Sequence, residues 1–469
     1  MVGEPDRVRV QPRLGLDVRE GHIVAPLQPC PADGFRRPRY HGPFVPNLRA
    51  FRALRYDPLA VPDAGTVLCP PYDVIGPAER QALAERDPRN AVHVELPVQA
   101  GPEDRYQSAA GLFSAWRGDG TLMRDARPCV YPYEQTFRVA GVERVARGFF
   151  CRLGLEDFGT ASGVRPHERT LGPAREDRYR LLSAVGVNLS PVLLLYEAGS
   201  PSGSSSDLLG RLMSDRAVID ASDLAGARHR LWVADPTTDP AAGALLELAA
   251  RTPLTIADGH HRYETALRFR DERRRAEGGD GDGAHEYVLA LLFDSDDGGL
   301  EVLPTHRVLR GAGGDDLLRR AGELFHVEPV HDMAMIVAGI DQPGRLGVWT
   351  HDGGALLTVD PQKLEPLLAP KASEALRRLD VTVLDVALET LTGTPANELV
   401  GGNRLSFTHD GEQAMSEVSA GRAAAAFLLP PTPIQAVLDV AAAGEVMPQK
   451  STYFQPKAAT GLLFNPVVE

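Results

Sequence analysis

The chain has 469 residues, 43% of them hydrophobic, which at about 150 residues per domain leaves room for two or three domains with real apolar cores and excludes a disordered or fibrous protein. Its 63 acidic residues outnumber 50 basic ones for a formal charge of -13, the wrong sign for gripping long nucleic acid through its phosphates, although a local basic pocket for one small anion remains compatible. Cys30, Cys69, Cys129 and Cys151 form no Cys-x-x-Cys pair and no apolar run approaches the roughly 20 residues of a membrane span, so a thiolate zinc site, a disulfide-dense secreted scaffold and a membrane partner are not expected, and the expected location is cytoplasmic.

Residues 1–48 carry eight prolines and five glycines without a helical or strand period, and read as a disordered extension dispensable for folding. From Phe51 the texture changes. Strands are expected at 54–56 and 66–69, a rigid turn at Pro70-Pro71-Tyr72-Asp73, and a helix over 77–86 with proline in its first turn. An amphipathic helix over 105–116 places Ala109, Leu112, Phe113 and Trp116 on one face. Strands follow at 129–137 and 144–155, then a polar, arginine-rich loop over 165–180. The apolar run 191–196 has the length of a buried strand, and 198–207 reads as an exposed loop. Strands at 229–234 and 254–257 precede a charged helix at 263–276. The runs 286–293 and 300–303 suggest a hairpin across 294–299. The last third mixes helix (315–324, 373–378, 383–391) with strand (346–350, 355–359, 424–429). Without a regular βαβ rhythm, the expected fold is α+β, with mixed sheets and flanking helices. The expected parts are an N-terminal α+β domain at 49–197, a second at 208–310 and a C-terminal α+β region at 311–469.

The sharpest chemical signal is Asp258-Gly259-His260-His261-Arg262. An apolar strand runs through a glycine into a helix, so backbone N–H groups and the helix dipole converge where an anion can sit. Asp258 suits a metal ion or a proton, His260 and His261 suit donation to a phosphoryl oxygen, and Arg262 suits a phosphate clamp. The bland alternative is an N-cap with satisfied histidines. A second segment, His167-Glu168-Arg169-Thr170, is followed by Gly172-Pro173. It offers Glu168 as a general base or metal ligand, with His167 and Arg169 as phosphate contacts, against a surface ion-pair network. The third is Lys450-Ser451-Thr452 with Lys457 close behind. The Gly-x-x-x-x-Gly spacing of a phosphate loop is absent. However, only Lys363, Lys371, Lys450 and Lys457 are lysine among the 50 basic residues, so a lysine pair flanking hydroxyls marks places where a compact ammonium matters. His306-Arg307 repeats the imidazole–guanidinium theme. None of these histidines has metal-ligand spacing.

The motifs at 70–75, 133–137, 167–170, 257–266, 304–307 and 447–454 together closely resemble a large bacterial and archaeal family known only as a domain of unknown function, from about Phe51 to the C-terminus. Asp258-Gly259-His260-His261-Arg262 also resembles the signature of free-serine kinases built on the ParB-like fold, which convert L-serine to O-phosphoserine. That resemblance implies a phosphate-donor site at Asp258, His260, His261 and Arg262, within a ParB-like phosphate-binding element at 254–277. The expected function is transfer of a phosphoryl group to a small metabolite, free serine first. ATP, ADP or pyrophosphate would be the donor, with Mg²⁺ at Asp258. The alternatives are a non-catalytic nucleotide or phosphometabolite sensor and a metal-dependent phosphoester hydrolase.

Overall fold

The computed structural model describes residues 45–99, 104–159, 162–168, 170, 172–198, 204–277, 281–311, 316–370 and 373–468. Its organising layer is a nine-stranded mixed sheet. The path runs Val164–Arg165, Leu254–Asp258, Val192–Tyr196, Tyr287–Asp294, Val142–Gly154, Tyr131–Val139, Arg228–Leu231, Ile219–Ser222. Leu48–Arg49 pairs with the far end of Val142–Gly154. Two pairings are parallel, Leu254–Asp258 with Val164–Arg165 and Tyr287–Asp294 with Val192–Tyr196.

Continuous apolar strands belong where both faces of a sheet are covered, and side chains alternate between those faces. Val288, Ala290 and Leu292 enter one core cluster, Leu289, Leu291 and Phe293 the other. The run 192–196 divides in the same way, with Leu193 and Leu195 opposite Val192, Leu194 and Tyr196. Strands from the 49–197 and 208–310 stretches thus share one sheet. A second sheet of six antiparallel strands holds Phe325–Val330, Gly353–Val359, Arg345–Thr350, Ala425–Leu428, His306–Leu309 and Leu405–Thr408 in that order. Among the described residues no helix is long and apolar enough to cross a membrane.

The strongest local signals form as expected. The helix Pro77–Arg86 starts on its proline, and Arg105–Gly118 buries Ala109, Phe113 and Trp116. Several local readings are corrected. Residues 66–69 are not a strand but the end of a short 3-10 turn, Ala64–Thr66, followed by an isolated bridge from Cys69 to Thr460. The arginine-rich segment is not all loop, because Gly172–Val185 is a helix that packs along His260–Glu277. Its charges are spent between helices: Arg268 reaches Glu176 at 2.8 Å and Arg175 reaches Glu264 at 2.8 Å. The loop expected over 198–207 gives way to the helix Ser204–Leu212, while 199–203 lie outside the described residues.

The hairpin across 294–299 does not form. Glu301–Leu303 pairs instead with Tyr453–Gln455, from the C-terminal segment. That segment ties the molecule together at widely separated points. Met447 bridges Glu168, Thr460 bridges Cys69, Phe464 bridges Leu54, and Asn465–Pro466 pairs with Val187–Asn188.

Residues 1–44 lie outside the described residues, but the chain is already part of the fold before residue 48. Pro46 is buried, the Gly154 N–H donates to the Asn47 carbonyl at 2.8 Å, and Leu48 packs against the core. Deleting residues 1–48 is therefore expected to cost about 1–3 kcal/mol more than deleting 1–44, from the lost burial and hydrogen bond. Thermal midpoints of the two truncations measure this, and equal midpoints would show that the edge strand contributes nothing.

Candidate active site

The strand Leu254–Asp258 carries its last residue to the edge of the core, and the helix His260–Glu277 starts after a single intervening residue. Gly259 makes that junction at φ 93°, in the left-handed region. A Cβ there would also stand 2.9 Å from Nε of Arg262, so glycine is required both for backbone conformation and for space. Having no side chain, Gly259 cannot cap the helix, and the first-turn N–H groups, which a helix leaves without partners of its own, converge at this turn.

Asp258 is held by two cations. Its Oδ2 accepts from Arg262 Nη2 at 2.8 Å and its Oδ1 from Lys457 Nζ at 3.2 Å. Burial would raise this carboxyl, but Lys457 and Arg262 keep it well below the usual carboxylate range. Arg262 also donates to the Pro191 carbonyl, which leaves its buried Nε without a partner among the described residues. The expectation of Mg²⁺ at Asp258 meets a donor set that does not fit a resident cation, since both oxygens already face positive groups. Among the described residues no group of three His, Cys, Asp or Glu side chains is arranged to hold a metal ion.

The histidines divide by their hydrogen bonds. His167 Nδ1 lies 2.5 Å from the Ile256 carbonyl, which can only accept, so that nitrogen carries the proton and Nε2 accepts from the Thr452 hydroxyl at 2.8 Å. Burial, opposed by that carbonyl and by Asp258, pushes the ring down to about 4. The His167 backbone N–H donates to His260 Nε2 at 3.2 Å, and the two rings meet edge to face at 4.7 Å. His260 is therefore also neutral, with its proton on Nδ1, and burial and His167 hold it well below the ordinary value. His261 is only partly buried and is lowered chiefly by burial, with Asp73 and Glu264 opposing.

Glu168 adjoins the C-terminal segment through a parallel bridge to Met447. Burial pushes its carboxyl up to about 6, against the Lys450 charge and a backbone hydrogen bond from Lys450, with Asp258 raising it further. Lys450 itself is exposed and sits at φ 56°, an unusual conformation for a residue with a Cβ. Ser451 is buried and its hydroxyl donates to the Pro448 carbonyl. Lys457 also lies 4.2 Å above the Tyr453 ring, whose other neighbour is His409 at 3.7 Å.

The structure thus brings together His167, Glu168, Asp258, Gly259, His260, His261, Arg262, Lys450, Thr452 and Lys457. His306 and Arg307 are both buried in the six-stranded sheet, and Arg307 meets the cluster from there, its Nη1 donating to the Lys450 carbonyl at 3.1 Å. The Leu429 N–H donates to His306 Nδ1 at 3.2 Å, and burial first, then His409 and Arg307, lower that ring to about 4. Arg169 lies outside the described residues. Sequence reasoning missed Asp73 and Tyr453 as neighbours of the site. Asp73 is exposed and acts on His261, Arg262 and Tyr453 through its charge. Its turn is fixed from below by Arg178, 4.0 Å over the Tyr72 ring. The diprolyl motif announced the turn but not what it would face.

The family model described as "Protein of unknown function (DUF1015)" matches residues 48–382. Among curated proteins, none matches. Among solved structures, a conserved hypothetical protein from Pyrococcus furiosus is similar at 14% identity and TM-score 0.33, over 63% of this chain and 89% of its own. A free serine kinase in complex with AMP is similar at 12% identity and TM-score 0.33, over 62% of this chain and 83% of its own. SbnI with a C-terminal truncation, from Staphylococcus aureus, gives 11% identity and TM-score 0.34, over 64% of this chain and 83% of its own. At such scores the likenesses settle nothing about this site.

Glu168 supplies a test that needs no substrate. Its carboxyl titrates near 6 in the folded chain against 4.5 ordinarily, so between those values the folded state binds the proton more tightly and stability falls as pH rises. Above pH 6 the ionised side chain costs about 2 kcal/mol. Glu168→Gln removes that cost. The stability of the variant relative to the native protein is expected to rise by about this amount between pH 4.5 and 7.5, as read by denaturant unfolding. A difference independent of pH would show that Glu168 titrates normally.

Proposed function

The chain belongs to the family described as Protein of unknown function (DUF1015), and from the geometry of its site we propose that it transfers a phosphoryl group to the hydroxyl of a small metabolite. Free L-serine is the first acceptor to test, with ATP, ADP or pyrophosphate as donor and O-phosphoserine as product. The observation that carries this reading is the pairing of Glu168 with Lys450. A carboxylate raised to about 6 faces the backbone N–H of a residue whose ammonium is exposed, beside the start of the helix His260–Glu277.

In this reading the turn at Gly259 acts as a phosphate-binding element of the ParB-like kind, with first-turn N–H groups and His261 receiving phosphate oxygens. Lys450 neutralises charge on the transferred group, the main requirement of phosphoryl transfer. Glu168 takes the proton of the acceptor hydroxyl as its oxygen bonds to phosphorus. The bond from phosphorus to the donor's bridging oxygen breaks, and that oxygen leaves with the electron pair. A base that titrates near neutrality suits this exchange. Asp258, already neutralised by Lys457 and Arg262, holds the two cations in place and takes no proton.

Phosphorus NMR of the purified protein with each donor and a pool of amino acids tests the proposal. A new phosphomonoester signal that Glu168→Gln abolishes supports it. Donor binding without turnover would instead identify a sensor, and free phosphate without a new ester a hydrolase. Lys450→Arg conserves charge and is expected to retain donor binding. Turnover should fall at least about tenfold, roughly 1.4 kcal/mol, because the planar guanidinium cannot occupy the point held by an ammonium. Lys371 lies outside the described residues, so Lys363→Arg is the matched control. Lys363 pairs with Asp360 and the Gly322 carbonyl, away from the site, and its substitution is expected to be neutral. Equal effects at both lysines would remove Lys450 from the mechanism.

A further inference from the structure

Arg307 is the largest fully buried side chain of the described residues. Burying a guanidinium is costly unless its charge and its donors are matched, yet its Nε and Nη2 have no hydrogen-bond partner among the described residues. Only Nη1 is engaged, donating to the Thr305 carbonyl at 2.5 Å and to the Lys450 carbonyl at 3.1 Å. Beneath it the Phe407 ring lies 4.9 Å from the guanidinium carbon.

The Lys450 residue is therefore gripped from both sides. Its carbonyl accepts from a buried cation of the six-stranded sheet, and its backbone N–H faces the carboxylate of Glu168 and favours its ionised form. Between those two contacts the backbone stands at φ 56°, a conformation that costs a residue with a Cβ about 1 kcal/mol and persists only where its surroundings enforce it. Arg307 is completely buried, and its contact with the site runs through the Lys450 carbonyl. We infer that Arg307 is a positioning residue, acting through the Lys450 peptide to set where the Lys450 ammonium and the Glu168 carboxylate stand. The inference deepens the phosphoryl-transfer reading and rests on it for the word positioning, but the grip itself can be tested without turnover.

The charged and titratable groups that face Arg307 are Asp385 and Glu168, with His306 and His409 on the neighbouring strand ends. Those that face Glu168 are Lys450, Lys457 and Asp258. Arg307→Lys keeps the charge but loses the two-carbonyl grip of Nη1, and Arg307→Met loses both. Amide hydrogen exchange of Lys450 is expected to accelerate about tenfold or more in both variants, while that of Val308 and Leu309, inside the sheet, stays slow. In Arg307→Met the Glu168 carboxyl, followed by carbon-13 NMR, is expected to titrate at higher pH than in the native protein. In Arg307→Lys it should stay in place.

Where the native protein turns over, kcat is expected to fall about tenfold or more in Arg307→Lys, with the donor KM nearly unchanged. Unchanged exchange at Lys450 in Arg307→Lys overturns the inference, as does a native kcat in that variant. If Arg307→Met does not fold, Arg307→Lys alone decides. If the native protein shows no phosphoryl transfer, the phosphotransferase reading fails by itself, and exchange at Lys450 still decides whether Arg307 holds that peptide.

Discussion

A carboxylate at the end of a buried strand cannot stay ionised without cations, and Asp258 has two of them from very different places in the chain. Arg262 comes from the next helical turn, so local folding supplies it. Lys457 lies 199 residues further on, and reaches Asp258 only when the C-terminal segment closes across the sheet. Breaking one arm of such a buried arrangement costs about 3–5 kcal/mol, because the remaining charge is stranded. The demand for a second cation is thus one physical reason why the C-terminal segment runs back to the end of the strand at 254–258.

That return path assembles the rest of the site. On its way to Asp258 the segment lays Met447 beside Glu168, offers the Thr452 hydroxyl to His167, and adds Tyr453–Gln455 to the short strand Glu301–Leu303. Beyond Lys457 it bridges Cys69 and Leu54, which fixes the start of the turn that carries Asp73. Charge is nearly balanced within the cluster, with Lys450 left as the exposed positive group. An anion would find there an ammonium and a helix start without any guanidinium having to let go of its carboxylate.

The same geometry separates histidines that look alike in the sequence. Two of them, His167 and His260, are neutral rings locked into single tautomers by backbone groups. They behave as struts between the strand at 254–258, the segment at 167 and Thr452. His261, one residue along, turns outward because successive positions on a helix point about 100° apart. The spacing of the motif contained that divergence, but which of the two adjacent imidazoles would be buried depended on what packed against the helix.

Sequence alone determined the features that rest on local physics. The apolar run at 191–196 had the length of a buried strand and 192–196 is one, the proline at residue 77 started a helix, and a glycine between an apolar strand and a charged helix marked the candidate site. The scarcity of lysine singled out Lys450 and Lys457 before any contact was known. Tertiary structure decided the partners. Whether residues 301–303 would pair with their neighbours or with 453–455 was a competition between two short strands of similar propensity, settled by the closure that Asp258 requires. Whether Arg307 would face solvent or vanish beneath Lys450 was equally open, because a guanidinium has the same chemistry in either place. Long-range pairing and burial depend on the whole chain at once, and no window of the sequence contains them.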